Sequence, residues 1–95
     1  MEIKAPTKGL KAICEKLGNQ YSIRLFDLEQ VIYRDFGNGY DVEVSGLNHN
    51  NEKFNATIYV WNTKKPVIVE KFKNINSFEM LENILSEITA KYSSL

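Results

Sequence analysis

Residues 54–61 read Phe-Asn-Ala-Thr-Ile-Tyr-Val-Trp, and this run decides the architecture. Successive side chains of a strand point to opposite sides. Phe54, Ala56, Ile58 and Val60 therefore share one face, and Asn55, Thr57, Tyr59 and Trp61 share the other. One face is wholly apolar and the other is polar with two large aromatics. That pattern predicts a strand with one side against a core and one side towards solvent, as in an antiparallel sheet.

The same alternation extends outward in both directions. Upstream, the polar loop Asn48 to Lys53 separates this strand from a predicted strand Tyr40 to Leu47. Gly37-Asn38-Gly39 then joins that strand to another, Leu28 to Phe36, because glycine tolerates the positive φ of a tight hairpin loop. Asp35-Phe36-Gly37 matches the metal-holding triplet of protein kinases. No glycine-rich phosphate loop, lysine strand or HRD loop accompanies it, so it reads as a strand end followed by turn chemistry. Downstream, Asn62 to Pro66 is a turn into a fourth predicted strand, Val67 to Lys73.

Helical periodicity brackets these strands. Leu10, Ile13, Cys14 and Leu17 fall on one face of a predicted helix from Thr7 to Leu17, with Thr7 placed to cap it and Gly18 to end it. Phe78, Leu81, Ile84, Leu85, Ile88 and Tyr92 make the stripe of a second helix ending near Tyr92. Asn76 and Glu79 fit the cap and third position of a capping box. Tyr21 to Phe26 alternates like a strand but has no recognisable turn after it, and its assignment stays open. The expected fold is a two-layer α+β domain spanning residues 1–95. Its order is helix, four-stranded antiparallel meander, helix, with both helices on one sheet face. The opposite face would carry Asp41, Glu43, Ser45, Asn55, Thr57, Tyr59 and Trp61, exposed unless residues 1–6 or 21–26 fold across it.

Composition narrows the function. The chain has 95 residues, 43% of them hydrophobic and 25% charged, with 12 basic and 12 acidic side chains and a formal net charge of zero. Such a chain folds as an ordinary globular domain and does not bind nucleic acid by bulk charge alone. A lone cysteine, Cys14, excludes an internal disulfide and reads as a core residue. The first twenty residues have no secretory apolar core, and no run approaches the length of a membrane span, so a cytoplasmic protein without membrane contact is expected. Lysine outnumbers arginine and asparagine and isoleucine are abundant, a codon bias that suggests an AT-rich bacterial genome or mobile element.

No catalytic set is complete. His49 is the single histidine, which excludes multi-histidine metal sites, and the strand that follows His49-Asn50-Asn51 is not the helix an HNH-type nuclease requires. Asp41 and Glu43 share a strand face, so a metal-dependent hydrolase is a third-place reading against a solvated strand face. No cofactor motif is present.

The leading expectation is a non-enzymatic binding module. Tyr59 and Trp61, with Asp41, Glu43, Lys64 and Lys65 around them, would meet a protein partner or a second copy of the chain. The alternative is single-stranded nucleic acid, stacked on Tyr59 and Trp61 and neutralised by Lys64, Lys65, Lys71 and Lys73.

Overall fold

A computed structural model describes residues 4–49 and 53–94. Helix α1 (Lys8–Leu17) is followed by strands β1 (Ser22–Phe26), β2 (Glu29–Asp35), β3 (Tyr40–Ser45), β4 (Ala56–Asn62) and β5 (Val67–Ile75), then helix α2 (Phe78–Tyr92). The sheet is an antiparallel meander in the order β1-β2-β3-β4-β5. It therefore has five strands, one more than the alternation alone predicts.

The added strand is the segment whose assignment the sequence left open. Phe26 pairs with Glu29, so Asp27 and Leu28 are the two central residues of a hairpin turn. Both have positive φ, 49° and 68°. A two-residue turn of this kind normally announces itself as Asn-Gly or Asp-Gly. Here a leucine occupies the second left-handed position, where its Cβ is crowded, so the usual signal is missing. The expected start of β2 at Leu28 moves to Glu29 for the same reason. Tyr21 to Phe26 consequently extends the sheet in its own plane and does not fold across it. The described part of the N-terminal segment does not cross that face either. Lys4 and Ala5 offer their carbonyls to the side chains of Gln30 and Asn48.

One hydrophobic core unites Leu10 of α1 and Leu81, Leu85, Ile88 and Tyr92 of α2 with Ile32, Val42, Val44, Ile58 and Val60 of the sheet. Ile32 pairs with Val44 and Val42 with Val60, so these strand residues share a face and both helices cover it. Cys14 packs against this core but is only half-buried, less enclosed than its helical spacing suggests. Its burial still pushes the thiol pKa up, which keeps it a thiol.

The helix starts follow capping chemistry. Thr7 accepts from the Leu10 amide at 3.1 Å, as expected. For α2 the cap is Ser77, which accepts from Met80 N–H at 3.1 Å; Asn76 lies one residue outside, so the capping box does not form. Two register shifts lie between β4 and β5, at Ala56/Ile58 and at Val60/Trp61. They let β5 run nine residues to Ile75, past its predicted end at Lys73, with Asn74 at φ 60° absorbing the first.

Candidate functional site

The sheet face away from the helices is built by the residues that alternate with the core. Cross-strand pairing sets them in rows. One row runs Ser22, Tyr33, Glu43, Tyr59, Lys71, and the next runs Asp35, Asp41, Trp61, Ile68. Asp41, Glu43, Tyr59 and Trp61 are thus brought together as the alternation predicts. They are half-buried, however, and not openly exposed. The reason is β1: Phe26 at its end reaches the same face and stands edge-on to Tyr33, with ring centroids 5.4 Å apart. Val31, two residues before Tyr33 on the same face, is fully buried although it does not belong to the helix-side core.

The result is a groove in two lobes. One lobe, about 280 Å³, is lined by Phe26, Tyr33, Asp41, Glu43, Trp61 and Pro66 among others. The second, about 250 Å³, is lined by Phe26, Asp27, Glu29, Glu43, Tyr59 and Trp61 among others. Phe26, Glu43 and Trp61 border both. The unsignalled Asp27-Leu28 turn hides Phe26, whereas Tyr33 lies in a strand that the alternation does predict. The alternation of 29–35 across the Gly37-Asn38-Gly39 hairpin is the signal that places Tyr33 on this face, and the alternation of 22–26 across the Asp27-Leu28 turn is the one for Phe26.

The carboxylates of the groove differ in their partners. Tyr33 donates its hydroxyl to Asp41 Oδ2 at 2.7 Å, while Asp41 Oδ1 is buried with no hydrogen-bond donor among the described residues. Burial raises the Asp41 pKa and the nearby Asp35 adds to this, while the Tyr33 hydrogen bond opposes it. Glu29 accepts from the Gly46 amide at 2.7 Å. Among the described residues Glu43 makes no hydrogen bond and no ion pair. Burial first, then the charges of Glu29, Asp41 and Asp27, push its carboxyl pKa up. Tyr33 is pushed the same way by burial and by Asp41.

Cations flank the groove without entering it. Lys71 Nζ sits 5.2 Å from the centre of the Tyr59 ring, and the Arg24 guanidinium 5.6 Å from that of Tyr33. The other lysines are elsewhere. Lys64 and Lys65 lie in the β4–β5 turn, where both amides donate to Asn62 Oδ1, and the Lys64 stem rests against Gly39. Lys73 is exposed on β5. The structure therefore brings one of the four lysines to the aromatics.

Among the described residues no group of three His, Cys, Asp or Glu side chains could hold a metal ion. Asp35 of the kinase-like triplet accepts from the Gly37 amide at 2.8 Å, which fixes the hairpin loop. His49 follows the end of β3 in a loop, and Asn50 and Asn51 lie outside the described residues. No described helix is long and apolar enough to cross a membrane.

No protein-family model, no curated protein and no solved structure matches the chain.

Proposed function

We propose that the protein is a non-enzymatic binding module, acting in the cytoplasm, that docks a protein partner in the groove of its helix-free sheet face. The observation that carries this reading is the aromatic wall of Phe26, Tyr33, Tyr59 and Trp61 around an open cleft. Large rings held by a sheet lose little entropy on binding and bury much area, which makes them good interface anchors. A second copy of the chain is one form such a partner takes. The charge of the groove favours protein over nucleic acid, since Asp41 and Glu43 repel phosphate where bases would have to stack. The test is capture of a specific partner by the wild type and by Trp61→Ala, with folding of both checked by circular dichroism. Loss of capture in the variant is expected. Equal capture by both would reject this face.

A further inference from the structure

We propose that the groove receives a guanidinium group: the protein partner presents an arginine side chain that lies against the Trp61 ring and pairs with Glu43. This rests on the reading of the groove as a protein-docking face and adds what the partner must carry. The geometry begins with Glu43. It sits between Tyr33 and Tyr59 in its cross-strand row and borders both lobes, so one ligand group beside it reaches the whole groove. It is half-buried and, among the described residues, has no partner. A carboxylate withdrawn from water without a counter-ion is costly, and an incoming cation removes that cost.

The surroundings select the kind of cation. Asp41 deepens the negative field, but Tyr33 holds its Oδ2 and its Oδ1 is inaccessible, so Glu43 is the contact and Asp41 acts at a distance. The chain's own cations do not fill the place: Lys71 stays over Tyr59, and Arg24 stays over Tyr33 with its Nε donating to Ser22. Both show that these rings take a cation on their faces. Among the described residues a metal ion finds no third ligand here. Guanidinium is flat, weakly hydrated and forked, so it can stack on indole while donating two hydrogen bonds to one carboxylate. A lysine ammonium holds its water more tightly and cannot do both.

The single tryptophan reports on the groove directly. Blocked tripeptides Gly-Arg-Gly, Gly-Lys-Gly and Gly-citrulline-Gly are titrated against the full chain and followed by Trp61 emission. Citrulline keeps the shape and removes the charge. The expected result is a saturable change with the arginine peptide, at least tenfold weaker binding of the citrulline peptide, lysine between them, and loss of arginine binding in Glu43→Gln. Equal response to arginine and citrulline, no change with any peptide, or unaltered binding by a folded Glu43→Gln would each overturn the inference. The partner-capture assay separates the two levels. Capture lost in Trp61→Ala but intact in Glu43→Gln would overturn the arginine and leave the docking face standing. Capture intact in both would reject the face itself.

Discussion

Glu43 and Asp41 give the groove a measurable signature at the level of single side chains. Both have a native pKa raised above the ordinary carboxylate value. The native state then binds protons more tightly than the unfolded chain. Stability from this source is fully present below the unfolded pKa and is lost as pH rises through the raised native values. Glu43→Gln removes an uncompensated charge, so it is expected to stabilise the protein at pH 7 by about 0.5 kcal/mol, the ordinary scale for a partly exposed position. The gain should shrink towards zero as pH falls through the raised native value to the ordinary glutamate value. Urea unfolding of both proteins at pH 7 and at acid pH checks this, and a constant difference would place the effect elsewhere. Tyr33→Phe tests the neighbouring contact. It strips Asp41 of its one donor among the described residues, and a loss of about 1–3 kcal/mol is expected at neutral pH, as for a charged acceptor left unsatisfied.

Turns and helix ends show why some elements were legible in the sequence and others were not. The Gly37-Asn38-Gly39 loop was legible because glycine at positive φ is its own signal, and Gly37 and Gly39 do adopt φ of 78° and 96°. The Asp27-Leu28 turn carries the same geometry without glycine, so the first strand, and the Phe26 wall of the groove with it, has no signal of its own. Replacing Leu28 by glycine should relieve the left-handed strain and stabilise the hairpin by about 0.5–1 kcal/mol, read from urea midpoints. Gly46 offers the opposite case. At φ 87° its added Cβ would meet Asn55 O at 2.9 Å, a backbone atom that cannot step aside. Gly46→Ala is expected to cost about 2 kcal/mol or more, against about 1 kcal/mol for Gly37→Ala, where nothing lies within 4 Å. Similar losses at the two positions would contradict the close approach of the β3 end to Asn55. The cap of α2 moved by one residue because Asn76 and Ser77 are both good caps, and only backbone geometry chooses between them.

The whole molecule divides labour between its two sheet faces. The helix side holds the core, and α2 is pinned to the sheet at its far end by the Tyr92 hydroxyl donating to Glu70, with Lys91 3.2 Å from the same carboxylate. That contact pulls the Glu70 pKa down, while burial first, and then the Glu70 carboxylate, push Tyr92 up to about 12. The other face was half legible: alternation put Asp41, Glu43, Tyr59 and Trp61 together, but no local pattern shows that Phe26 and Tyr33 close around them, since that depends on pairing across three strands. The most direct test of the groove as an arginine-docking face is a map of backbone amide shifts in the labelled full chain during titration with the arginine tripeptide. Shifts are expected to concentrate at Phe26 to Glu29, Tyr33, Asp41 to Ser45 and Tyr59 to Thr63, with α1 and α2 unmoved. Shifts confined to the helices, or none at concentrations where Trp61 emission saturates, would contradict docking in the groove.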